Sequence, residues 1–169
     1  MVTAYHFVPA NTPERRKLAF DQMQADGLDR VVLWNKAEPS IFDWLQCVNP
    51  SQAVCALGYS DDTLAGALWI NPVMGLCGCV HFCVFKAGRS DWENLGRQAI
   101  AWIFDQYPLA ALTAIYPANY RHVTTAAKAW GFDLASQRLP LACHMPTINN
   151  PRRCRDALVA VLRRENFKR

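Results

Sequence analysis

At 169 residues, with 51% apolar and 19% charged side chains, the chain is long enough for one hydrophobic core and short for two sizeable domains. It has no apolar run of about eighteen residues and no basic, apolar and cleavable start, which excludes a membrane-spanning class and leads us to expect a cytoplasmic protein without a membrane partner. Seven cysteines, an odd number without framework spacing, argue for reduced thiols rather than disulfides. Charge is local: residues 151 to 169 hold seven Lys or Arg against two acids, more than the net +4 of the whole chain.

In chain order, VTAYHFVP has the composition of a first strand. Thr12, Pro13 and Glu14 then predict a helix start, with Thr as cap and Pro at the first helical position, and Gly27 a stop. Ile41, Phe42, Leu45 and Val48 recur at helical spacing after Pro39 and predict a short second helix. AVCALGY and LAGALWI flank the turn-like SDDT and read as antiparallel strands; NPVMG is expected to turn into the next strand, CGCVHFCVF. Ser90 and Glu93 form a capping-box pattern ahead of Trp92, Leu95, Ala99, Ile100, Trp102, Ile103 and Phe104, a helix apolar enough to pack on a sheet. ALTAIY reads as a strand, and Val123, Ala127 and Trp130 as a helix stopped by Gly131, with Phe132 folding back. DLASQRLPLACHM supplies one or two closing strands. A last helix is expected from Asn150 and Pro151, its stripe being Cys154, Leu158, Val161 and Leu162. The predicted order is βααβββαβαββα.

CGCVHFCVF concentrates three cysteines and a histidine. As a strand it places Cys77, Cys79, His81 and Cys83 on one face, about 6.6 Å apart in succession and spread over roughly 20 Å. Zinc bonds of about 2.0 to 2.3 Å cannot gather four ligands from that line, and no second ligand pair appears, so no metal is assigned. The thiols read as narrow fillers beneath a helix. His81 is either a satisfied structural histidine or, if it faces a cleft, a base near neutral pH.

The strand VHFCVF, the loop KAGRSDWEN, the helix LGRQAIAWIF, the strand ALTAIYPAN and the helix ending KAWGF together resemble the central half of the GNAT N-acetyltransferase superfamily, over roughly residues 64 to 146. The resemblance implies an α/β (α+β) fold: a mixed, mostly antiparallel sheet with a splayed central parallel strand pair and helices on both faces. To this the sequence adds the C-terminal helix, giving a GNAT-like domain over residues 1–150 and a basic amphipathic helix over 151–169. It also implies acetyl-CoA or another acyl-CoA lying between the splayed strands. The cofactor-binding positions it suggests are Phe82 and Val84 on the strand, Arg89, Gly96 and Arg97 around the pyrophosphate loop, and Asn119 after the second parallel strand. Asn119 also reads as a helix N-cap. The family's loop places a basic residue and two small ones where this chain has Asp91, Asn94 and Gly96. The family's tyrosine acid falls on Ala127, leaving Tyr120, with Tyr116 nearby, as the catalytic acid beside His81 as base.

Two functions follow. The first is an acyl-CoA-dependent N-acyltransferase acting by direct transfer on an amine of a small molecule or protein, with a backbone amide near Val84 facing the oxyanion. The second is a catalytically degenerate module of the same fold. Nucleic acid is a lesser expectation, resting on the basic tail alone, and a homodimer is left open. Trp34, Trp44 and Phe42 are candidates for an apolar acceptor pocket.

Overall fold

A computed structural model describes residues 3–168. Eight strands form one sheet in the order β1-β2-β3-β4-β5-β8-β6, with β7 also paired to β8. The strands are β1 (His6–Pro9), β2 (Val54–Ser60), β3 (Thr63–Met74), β4 (Cys77–Val84), β5 (Ala111–Pro117), β6 (Asp133–Leu134), β7 (Leu139–His144) and β8 (Cys154–Arg163). All pairings are antiparallel except β4 with β5.

The period-two alternation of β2 to β4 builds two cores. Leu57, Trp69 and Cys83 face one side, beneath α1 (Pro13–Ala25), α2 (Asp29–Val32) and α3 (Ile41–Cys47). Ala56, Leu68 and Ile70 face the other, beneath α4 (Trp92–Gln106) and α5 (Arg121–Ala129). Ile100, Ile103 and Phe104 of α4 are buried there, and each such side chain contributes about 1.5–3 kcal/mol by leaving water.

Local chemistry fixes the helix ends. Thr12 caps α1 by accepting from the Arg15 amide, with Pro13 behind it. Arg16, buried and with no carboxylate partner among the described residues, donates through Nε to Ala10 O at 2.6 Å and through a terminal nitrogen to Ala53 O. It thereby ties α1 to the entry of β2, while the buried Trp44 indole donates to Arg16 O. The reciprocal capping box lies at Ser40 and Asp43, where Ser40 accepts from the Asp43 amide and Asp43 accepts from the Ser40 amide. Gly131, at φ +89°, ends α5 and lets the Phe132 amide reach Ala127 O at 2.9 Å.

Three expectations are corrected. The predicted C-terminal helix is strand β8, paired with β5 along one edge and with β6 and β7 along the other. With both edges paired and most of its residues at least partly covered, ALVAVL is a continuous apolar run, and such a run fits a helical count as readily as a strand. NPVMG is not a turn: residues 71–74 extend β3 past an irregularity between Ile70 and Val73, and the chain reverses at Gly75, φ +60°. Ser90 does not cap α4. It lies within a 3-10 helix, Lys86–Asp91, that runs into α4 with Asp91 at the junction, where no side chain bonds an amide.

Candidate active site between the parted strands

The parallel pair is short. β4 and β5 pair only from Cys77 to Cys79 against Ala111 to Thr113, then separate. Gly78, inside this closed part, has no room for a Cβ, which would meet the Ile70 γ-methyl at 2.6 Å. On its other edge β4 stays paired with β3 as far as Val84 against Gly66. The Phe85 amide donates to Ala65 O at 2.9 Å, which sets the phase of that ladder. In an antiparallel ladder alternate amides point to opposite edges. The amides of His81 and Cys83 therefore face β3, and those of Phe82 and Val84 face the gap that β5 has left.

A cavity of about 670 Å³ occupies this gap and is lined by residues from both faces of the sheet. Its two sides differ in chemistry. Toward α1 and α2 it is walled by Leu28, Val31, Val32, Trp34, Trp69 and His81; toward α4 and α5, by Arg89, Trp92, Gly96, Phe82, Thr125 and Trp130. Ala114 and Tyr116 of β5 line it opposite β4.

His81 is held flat against Trp69, with ring centroids 5.1 Å apart and planes 7° apart. Its Nε2 lies 3.1 Å from Asn71 O, an acceptor only, so Nε2 carries the proton in the neutral ring and Nδ1 keeps its lone pair. Burial holds the pKa below the ordinary 6.5, partly offset by the bond to Asn71. A neutral imidazole with a free lone pair at a cavity wall is suited to accept a proton.

The two phenols differ. Tyr120, at the start of α5, donates to Val31 O at 3.4 Å across the cavity mouth, and burial raises its pKa while the charge of Arg153 opposes that rise. Tyr116 is buried and its hydroxyl has no hydrogen-bond partner among the described residues. Cys83 also lines the cavity, but burial pushes its thiol up to about 12, which makes it a poor nucleophile.

The structure thus gathers His81, Tyr120, Phe82, Val84, Arg89 and Gly96 around one cavity. Arg89 is exposed at its edge. Gly96 has a more specific use: a Cβ there would lie 2.0 Å from the Trp130 ring, so its bare face seats that indole. Trp130 packs edge-on against Phe82 at 5.2 Å, and its buried Nε1 has no hydrogen-bond partner among the described residues. Arg97 and Asn119 are not brought in. Arg97 donates to Ala129 O at the end of α5 and pairs with Glu93 at 3.7 Å, while Asn119 is exposed, outside the lining, and Tyr120 takes the N-cap position. Of the three acceptor-pocket candidates only Trp34 lines the cavity; Trp44 is core and Phe42 is 77% exposed. Sequence reasoning placed Trp130 only in a packing stripe. The signal available for its site role was the lone glycine inside a strongly apolar helix, which needs a large partner. Among the described residues, no group of three His, Cys, Asp or Glu is placed to hold a metal ion, and no helix is long and apolar enough to cross a membrane.

The architecture is shared with solved acetyltransferases at low identity. The chain is similar to the ribosomal-protein-S5-alanine acetyltransferase from Vibrio fischeri, at 12% identity over 98% of this chain and 96% of that one, with TM-score 0.70. It is similar to the Salmonella typhimurium acetyltransferase that modifies the N-terminal serine of ribosomal protein L7/L12, at 9% identity over 95% of each chain, with TM-score 0.74. Spermidine N-acetyltransferase from Vibrio cholerae, in complex with CoA and spermine, gives 7% identity over 96% of each chain and TM-score 0.74. No protein-family model matches the sequence, and no curated protein matches it. Parted parallel strands, a mostly antiparallel sheet and helices on both its faces give this chain the fold of the GNAT N-acetyltransferase superfamily.

Proposed function

We propose that the protein is an acyl-CoA-dependent N-acyltransferase that moves an acyl group directly from the thioester to an amine. The observation that carries this reading is the gap between β4 and β5, where a strand edge with amides at Phe82 and Val84 borders a cavity lined by residues from both faces of the sheet. Solved neighbours crystallised with CoA or acetyl-CoA support the class of donor. The residues present fit such a ligand unevenly. The open strand edge suits its amide-bearing arm, and Arg89 at the rim suits its phosphates, but the preceding 3-10 helix replaces a glycine-rich loop, and Arg97 is already engaged.

Acyl-CoA supplies an activated thioester carbonyl when bound. His81 Nδ1 takes the proton of the attacking amine, Nε2–H staying on Asn71 O. The Phe82 and Val84 amides, which face the gap, would stabilise negative charge developing on a thioester carbonyl oxygen held there. Two phenols border the cavity as candidate acids: Tyr120, whose hydroxyl donates to Val31 O, and Tyr116, whose buried hydroxyl has no hydrogen-bond partner among the described residues.

Calorimetric titration with acetyl-CoA tests the proposal. One-to-one binding at micromolar affinity is expected, and Ala114→Phe, which fills the gap from β5, is expected to weaken it at least tenfold with an unchanged far-UV spectrum. Absence of binding at millimolar acetyl-CoA contradicts the reading. It would favour the catalytically degenerate module instead, to which the coiled Lys86–Asp91 segment and the indole-covered Gly96 are also suited.

A further inference from the structure

We propose that the acceptor is an aromatic amine with no second charged group, its ring laid on the face of His81 that looks into the gap and walled by Val31, Val32 and Trp34. This assignment rests on the acyl-transfer reading above and names the acceptor class of that same site.

The base decides which side of the cavity the amine occupies. His81 stands opposite Trp69 in the β3–β4 register, so it shares the face of the sheet that lies beneath α1, α2 and α3. An amine that gives its proton to Nδ1 sits on that side, against Leu28, Val31, Val32 and Trp34. Among the described residues no Asp or Glu lines the cavity, and the one Lys or Arg that does, Arg89, lies on the other side, toward α4. Leu28, Val31 and Val32 offer hydrocarbon alone. A polyamine would leave a second ammonium there with no carboxylate to meet it, which is strongly unfavourable. A peptide amino terminus would bring backbone amides that those side chains cannot pair. A single ammonium is easier to accommodate, because an apolar wall favours its neutral form, and the neutral form is the nucleophile.

The wall is also open at one aromatic face. Trp69 lies flat against the β3 side of the His81 ring, with Trp44 edge-on to Trp69 at 5.0 Å in the core behind. On the β5 side no strand follows, since β5 has parted beyond Cys79, and the second face of the imidazole is turned to the gap. Ile115 of β5, 43% exposed, lines the opposite wall. A flat ring in that slot continues the stack, with Trp34 beside it. A short carbon chain between ring and nitrogen then carries the amine past the edge of the imidazole to Nδ1, whose lone pair lies in the ring plane. In the transfer the nitrogen–acyl bond forms as the thioester C–S bond breaks. One amine proton passes to Nδ1, and the sulfur leaves as thiolate and takes up a proton to give the thiol.

The test compares 2-phenylethylamine, 2-cyclohexylethylamine, spermidine and a short peptide with a free amino-terminal serine at equal concentration. Thiol release from acetyl-CoA is measured, alongside calorimetry of acetyl-CoA alone. The expected order of kcat/KM places 2-phenylethylamine above its cyclohexyl analogue, and at least tenfold above spermidine and the peptide. Val32→Glu, which sets a carboxylate in the wall, is expected to raise the spermidine-to-phenylethylamine ratio at least tenfold with acetyl-CoA affinity unchanged. If that variant does not fold, the wild-type order decides. An unchanged ratio in a folded variant overturns the placement of the acceptor against α2. A cyclohexyl analogue equal to or better than 2-phenylethylamine overturns the ring stack. Spermidine or the peptide preferred, or acetyl-CoA bound with none of the four acylated, overturns the acceptor class. Failure to bind acetyl-CoA at all marks instead the failure of the underlying transferase reading.

Discussion

The two edges of β4 are the instructive contrast in this molecule. Toward β3 the strand is paired from Cys77 to Val84, interrupted only where Ile70 gives way to Val73; toward β5 it is paired over three residues and then left open. Both edges belong to one strand of apolar and thiol side chains, so the difference comes from the neighbours. β3 arrives through a tight reversal at Gly75 that keeps it in register. β5 arrives after α4 and a crossover, and is held on its far side by seven residue pairs with β8. The closed edge spends its amides on the fold, and the open edge keeps Phe82 and Val84 for a ligand. Stability and chemistry are therefore separable along a single strand.

The largest separation is expected at His81, whose backbone serves the closed edge while its ring serves the cavity. His81→Ala is expected to lower kcat by roughly 10²–10⁴ while acetyl-CoA affinity is retained. Because burial depresses the ring's pKa, the wild-type rate is expected to hold down to below pH 6.5 and fall only as the folded-state ring protonates, an acid limb absent from the variant. Unchanged kcat, or the same limb in both proteins, would remove His81 from the reaction.

Breaking the closed part should act on stability instead. Gly78→Ala places a methyl 2.6 Å from the Ile70 γ-methyl, one stiff bond from the backbone, and is expected to destabilise by about 1–3 kcal/mol in denaturant titration. Acetyl-CoA affinity, measured below the unfolding transition, is expected to be unchanged. A variant of wild-type stability would show that the closed segment is loosely packed.

The smallest effect lies far from both edges, at the cap of α3. Lys36 and Ser40 hold the Asp43 carboxyl at about 2, below its usual 3.8. A depressed folded-state pKa stabilises above the unfolded value and is lost as pH falls through the folded one. Asp43→Asn is therefore expected to cost about 0.5–1 kcal/mol at pH 7, with the gap closing between about pH 4 and pH 2. A gap independent of pH would assign the effect to packing.

Much of this architecture was legible in the residues. Thr12-Pro13-Glu14 marked a helix start because cap and ring act locally, and Gly131-Phe132 marked a helix end for the same reason. β8 was not legible, because what makes it a strand is non-local: β5 on one edge and β7 on the other cover a run whose apolar residues satisfy two periods at once. Of the two Ser-x-x-acid boxes, the one at Ser40 forms, whereas Ser90 is taken up by a 3-10 turn packed under β3, where Gly88 has no space for a side chain. His81 was placed by alternation along a strand, and Phe82 and Val84 by the resemblance of that strand to a family pattern. Arg97 and Asn119 were placed by position in a family pattern, and here the packing of α4 on α5 gives Arg97 the Ala129 carbonyl instead.

Amide hydrogen exchange along β4, measured residue by residue with and without acetyl-CoA, tests the two-edge account most directly. The account predicts that His81 and Cys83 are protected throughout, while Phe82 and Val84 exchange fast in the free protein and become protected when acetyl-CoA is added. Four amides equally protected in the free protein, or Phe82 and Val84 unaffected by saturating acetyl-CoA, would contradict it.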